Sequence, residues 1–143
     1  MELPSTLSET LIKRGAIFHS NADRFRKKIG HSKFFVVMGV SQGRVVGFFF
    51  INSNIHRTVE SKPALFALQY PIKRGDYSFL SHSSFIGCAS LQEWAYDDLL
   101  DSINKGETEY KATLHETHIE EILEQVRQSE VFSEEEIESY FGE

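Results

Sequence analysis

The sequence predicts an α+β domain: a small curled antiparallel β-barrel of about five or six strands, completed by C-terminal helices. Three observations carry this. Apolar runs of strand length, bounded by turn residues, fill residues 1–90. After residue 90 the apolar period becomes helical. Two of the longest apolar runs are joined by a three-residue loop containing glycine, the pattern of a β-hairpin. At 143 residues the chain has the length of one domain with its own core, divided into a mainly β part (1–90) and a mainly helical part (91–143).

Taken in order, Thr6-Leu7-Ser8-Glu9 has the form of a capping box, which satisfies the free N–H groups of a first helical turn. The short helix it opens is expected to run to about Arg14 and to stop at Gly15. Ala16-Ile17-Phe18 is a brief strand, and residues 19–32, polar and basic, form a loop. The run from Lys33 to Val40 is apolar on both faces, as a fully buried strand is. Ser41-Gln42-Gly43 turns it into a second such run from Arg44 to Ile51, closed by the polar elbow Asn52-Ser53-Asn54. Ala64 to Leu68 is read as a third long strand stopped by Pro71, and Lys73 to Asp76 as a turn. Short strands at Tyr77 to Leu80 and Phe85 to Cys88 flank Ser81-His82-Ser83-Ser84.

Beyond that point Ser90-Leu91-Gln92-Glu93 is a capping-box pattern. Tyr96, Leu99, Leu100 and Ile103 follow at helical spacing up to Gly106. Glu109 to Leu114 is a further strand. Thr117-His118-Ile119-Glu120 and Ser133-Glu134-Glu135-Glu136 cap two last helices, with apolar faces at Ile119, Ile122, Leu123 and Val126 and at Ile137, Tyr140 and Phe141. Those apolar faces predict packing on the barrel, in preference to an acidic tail laid over a cationic groove.

The net charge of −6 conceals a division. Residues 1–76 carry twelve Lys and Arg against five Asp and Glu, and residues 77–143 carry three against sixteen. Such asymmetry points to nucleic acid or to an acidic tail, and also fits two solvated surfaces of opposite sign. No apolar run reaches the roughly 18 to 20 residues of a membrane span, the start lacks the layout of a signal peptide, and Cys88 is the only cysteine. These features predict a cytoplasmic chain with no disulfide and no membrane partner.

No glycine-rich phosphate loop, paired-cysteine spacing or His-Glu-x-x-His is present, so neither a cofactor nor a metal is expected. His115 and His118 lack a third ligand at fixed spacing, and Cys88 has the setting of a small core residue. Two constellations remain. The first is the basic segment with Arg24, Arg26, Lys27, Lys28 and His31, whose cations suit phosphate contacts. The second joins Asn52, Ser53 and Asn54 to His82 and Ser84, two polar strand ends that a small barrel would bring to one rim. Metal-free RNA cleavage needs a base for the 2′-hydroxyl, an acid for the leaving oxygen and cations on the phosphate, and histidine titrates in the useful range. The competing readings are a solvated loop and a strand-end histidine bonded to its neighbours.

The order of elements resembles the MazF/PemK-like toxins. Lys13-Arg14-Gly15-Ala16-Ile17-Phe18, a polar loop and the strand from Lys33 to Val40 are similar to the opening of that group. Asn52-Ser53-Asn54 resembles its polar elbow, and Tyr77 to Cys88 resembles the later strand pair of the PemK-like branch. The resemblance implies an SH3-like barrel, an endoribonuclease acting on single-stranded RNA, a homodimer and a cognate antitoxin. It carries over a family-type polar position at Ser53. The Arg-x-Asp pair of the best-known branch is missing, since Gly87-Cys88-Ala89 stand in its place. The alternative is therefore a CcdB/MazF-like barrel that binds a protein or nucleic acid without cleaving it.

Overall fold

In the computed structural model, which describes residues 9–28 and 30–142, seven strands make one antiparallel sheet with helices on both faces. The strands are β1 (Ala16–Ser20), β2 (Lys33–Val40), β3 (Val45–Asn52), β4 (Gln69–Ile72), β5 (Ser84–Gly87), β6 (Gln92–Ala95) and β7 (Thr108–Thr113). The helices are α1 (Asp23–Lys28), α2 (Arg57–Glu60), α3 (Pro63–Phe66), α4 (Tyr96–Asn104), α5 (Glu116–Gln128) and α6 (Glu134–Tyr140). The order is β4-β5-β3-β2-β1-β7, with β6 also paired to β3. The sheet is an open path ending at β4 and β7 rather than a closed barrel of five or six strands. Among the described residues no helix is long and apolar enough to cross a membrane.

The two-sided apolar character of β2 and β3 has a direct cause. Side chains alternate across a strand, and each face of this sheet has its own core. Ile17, Val36, Met38, Phe49, Ile51 and Ile86 pack under α5 and α6, through Ile122, Leu123, Val126 and Phe141. Phe18, Phe35, Val37, Val46 and Phe48 pack on the opposite face, under α1 and α4, with Phe25, Trp94 and Leu99. The C-terminal helices thus pack on the sheet by their apolar faces.

One irregularity sets the register. Val37 pairs with Phe48, but Gly39 pairs with Gly47, so Met38 is an extra residue in β2, a β-bulge. The paired glycines make a flat seat for Tyr140. A Cβ at Gly47 would stand 2.5 Å from the Tyr140 ring, and one at Gly39 2.5 Å from its carbonyl oxygen. Two arginines hold the carbonyls that end α6. Arg14 donates to the oxygens of Tyr140 (3.1 Å) and Gly142 (2.7 Å), and Arg127 donates twice to that of Phe141.

Several expected elements differ. The capping box at Thr6-Leu7-Ser8-Glu9 lies largely outside the described residues, of which 9–11 are helical, and Gly15 turns the chain at φ +90°. Residues 19–32 are not a loop throughout. β1 runs on to Ser20, and Asp23–Lys28 is helical because Phe25, only 2% exposed, is driven into the second core. The third strand lies later than expected. Pro63 starts a helical turn, a position where its missing N–H costs nothing, and the strand is Gln69–Ile72 with Pro71 inside it. Proline is tolerated there because β4 is an edge strand.

Residues 77–80 are turns, not a strand. The Tyr77 ring stacks on His115 at 4.6 Å, and its hydroxyl joins the His115 backbone N–H (2.9 Å) and His118 Nδ1 (2.6 Å). These bonds tie the turn to the start of α5. Ser90-Leu91-Gln92-Glu93 caps nothing, because Gln92–Ala95 is taken up as β6 beside β3, and α4 begins at Tyr96. α5 starts at Glu116 behind His115 rather than at a Thr117 cap. The capping box at Ser133 is present with both of its hydrogen bonds.

Candidate functional site

The end of the sheet where β1 and β3 finish and β2 and β5 begin gathers the polar residues. Continuing the register past Phe34↔Ile51 sets Lys33 beside Asn52 and Ser32 beside Ser53. Continuing past Asn52↔Phe85 sets Ser53 beside Ser84. By this extension Ser32, just before β2, Ser53, just after β3, and Ser84, at the start of β5, fall in a row on the side of Phe34, Ile51 and Ile86. Neighbouring strands are about 4.8 Å apart, so the row spans roughly 10 Å.

A histidine stands at each end of this row. His82 Nε2 lies 3.4 Å from the Ser53 hydroxyl. Its Nδ1 lies 3.0 Å from the Ser83 carbonyl oxygen and 3.4 Å from the Ser84 hydroxyl. With Nδ1–H donated to that carbonyl, the ring turns Nε2 toward the Ser53 hydroxyl. At the other end His19 Nε2 lies 3.0 Å from the Ser32 hydroxyl. The His19 ring packs against Phe34 at 4.5 Å, and Phe34 against Phe79 at 5.2 Å, so two aromatic rings floor the row. His19 is half-buried, and burial, aided by Lys111 and opposed by Glu109, pushes its pKa below the ordinary histidine value.

Lys33 and Asn52 follow on the opposite face. Lys33 Nζ donates to Asn52 Oδ1 at 2.8 Å and stands 5.0 Å over the Phe50 ring. Burial lowers the Lys33 pKa. Gly87 leaves room for the Asn52 amide, since a Cβ there would sit 3.1 Å from its nitrogen.

The candidate residues read from sequence are thus partly united. Ser53, His82 and Ser84 meet, with Asn52 next to them. Asn54 lies exposed in the bend after β3. The basic segment does not gather beside them as one cleft. Arg24 turns to the other face, where its guanidinium lies 4.7 Å over Trp94 and donates to the Glu93 carbonyl at 2.9 Å. Glu93 pairs with Gly47, six residues before Ser53, which at about 3.3 Å per residue is roughly 20 Å away. Lys27 lies 3.9 Å from Asp23, Arg26 is exposed, and Lys28 ends α1. His31 precedes the row and bonds the Ser32 carbonyl at 2.8 Å.

His19, Ser32, Lys33 and Phe34 belong to this site and were not singled out from sequence. The available signal was period two. Ser32 lies two residues before Phe34, and His19 two after Ile17, each on one face of its strand.

No protein-family model matches the chain, and no curated protein matches it.

An open cleft of about 790 Å³ lies at the other end of β2 and β3, lined by Arg14, residues 39–43, Glu93 and the acidic face of α6. Its carboxylates would repel a phosphate. Cys88 is fully buried, and burial raises its thiol pKa, which makes it a core residue rather than a nucleophile. Among the described residues no group of three or more His, Cys, Asp or Glu is placed to hold a metal ion.

Proposed function

We propose that this chain is a toxin-like endoribonuclease that cleaves single-stranded RNA without a metal, acting in the cytoplasm as a homodimer held in check by a cognate antitoxin. The curled barrel of the MazF/PemK type belongs to the same proposal. The observation that carries it is the meeting of Ser53, His82 and Ser84 from two distant stretches of sequence. Hydroxyl donors and an exposed imidazole at one rim suit a phosphodiester. His82 serves in proton transfer, the exposed Ser53 hydroxyl donates to a non-bridging oxygen, and Ser84 holds the His82 backbone and ring in place.

A second reading, a barrel that binds RNA or a protein without cleaving, is favoured by a different observation. Among the described residues no arginine is bonded to Ser53, His82 or Ser84, and Arg24 lies on the other face. One assay separates the two. A long single-stranded RNA is incubated with purified protein in EDTA, beside His82→Ala. Cleavage by the parent and a loss of about 100-fold or more in the variant is the expected result. Intact RNA with the parent leaves only the binding function.

A further inference from the structure

We propose that His19 is the second proton-transfer residue of this site, taking the proton of the ribose 2′-hydroxyl while His82 protonates the leaving 5′ oxygen. The inference rests on the ribonuclease reading above and extends it to a residue of β1.

The argument is geometric. Transesterification at a phosphodiester needs two proton-transfer groups, on opposite sides of the phosphorus, because the attacking and leaving oxygens are in line. His82 alone supplies one. His19 and His82 each present Nε2 to a serine, at 3.0 Å and 3.4 Å, and the two serines stand two residues beyond the cross-strand pair Phe34 and Ile51, at one end of the sheet. Cross-strand Cβ atoms lie about 4.5–5.5 Å apart. A phosphate that replaces the two serine contacts is therefore flanked by two imidazoles, with Ser32 and Ser53 beneath it.

In this step the 2′ oxygen bonds to phosphorus and its proton moves to His19 Nε2. The bond from phosphorus to the 5′ oxygen breaks, and that oxygen takes the Nε2 proton of a His82 that enters the step as imidazolium and leaves it neutral. The products are a 2′,3′-cyclic phosphate and a free 5′-hydroxyl, and no oxidant, reductant or other reactant is consumed. Solvent returns both rings to their starting protonation. The division of roles follows from surroundings. His19 is half-buried and faces Lys111 and Glu109 of β7 and Ser32 and Phe34 of β2; burial and Lys111 both favour its neutral, proton-accepting form. His82 is exposed, and the Ser83 carbonyl on Nδ1 aims Nε2 at the row.

The test uses the full chain and a fluorogenic single-stranded oligoribonucleotide in EDTA, from pH 5 to 9. Parent, His19→Ala, His19→Gln and His82→Ala are compared, with affinity read on an uncleavable 2′-deoxy analogue. Both His19 variants are expected to lose about 100-fold or more in kcat/KM, with analogue affinity within about two-fold. The acidic limb of the pH profile should vanish with them. Added imidazole should restore part of the rate to His19→Ala. His19→Gln keeps a hydrogen-bonding group for Ser32, so a loss shared by both variants is not a folding effect. A cleaving parent whose His19 variants keep their rate and both limbs overturns this inference alone. A parent that does not cleave overturns the reading beneath it as well.

Discussion

Tyr140 shows how much a single side chain can decide here. Its ring lies on the Gly39–Gly47 pair, its hydroxyl donates to Glu93 at 2.5 Å, and its carbonyl is held by Arg14. No side chain larger than hydrogen fits beneath it. Gly47→Ala is expected to cost about 1–3 kcal/mol, the range of overpacking in a rigid core, measured as a shift in the urea midpoint. Tyr140→Ala should remove most of that penalty, and strictly additive costs in the double variant would count against the seat. The residue scale also explains what was illegible. Ser53, His82 and Ser84 stood out as polar residues closing apolar strands. Ser32 and His19 did not, because both lie in the polar, basic stretch 19–32 that reads as a loop, and for Ser32 the Met38 bulge also moves the β2–β3 register by one place. Counting back from the hairpin turn without that bulge puts Ser32 opposite Asn54, and a one-residue slip reverses every face.

At the element scale, local pattern succeeded where it agreed with tertiary context. β2, β3 and α6 formed where period and caps placed them, and α4 where its apolar period did, without the cap expected at Ser90. α1 and β6 were hidden for the opposite reason. Asp23–Lys28 is short and charged, and an isolated helix of that length is unstable in water. Phe25 holds it, packed edge-on against Phe48, Phe50 and Trp94 at 5.4–6.3 Å between ring centres. Phe25→Ala should therefore cost about 3–5 kcal/mol and release the whole helix, seen as loss of amide-exchange protection in residues 23–28. Protection kept in that variant would show that the helix stands without its anchor. β6 formed against its capping-box pattern because β3 has an edge to fill next to β5, a tertiary demand that local sequence does not display.

The whole molecule is a sheet between two cores, and the first core closes only because α5 and α6 are tied onto it. Three of those ties are tyrosine hydroxyls: Tyr70 on Glu121, Tyr77 on His118 and Tyr140 on Glu93. The two bonds to carboxylates need a neutral, donating hydroxyl, and all three tyrosines are pushed up from the ordinary tyrosine value, first by burial. Tyr140 rises to about 12, with the Glu93 hydrogen bond as its next cause. A folded-state pKa above the unfolded value of about 10 contributes stability in full below that pH. The contribution is lost as pH climbs through the folded value. Stability should therefore decline from about pH 10 towards 12. Urea midpoints at pH 8, 10 and 11 measure it. Tyr140→Phe keeps the ring on its glycine seat but removes the ionising group, so its decline should be shallower than the parent's. Equal slopes in the two proteins would mean that the tyrosine ties do not set the alkaline limit and that the helices are held by apolar packing alone.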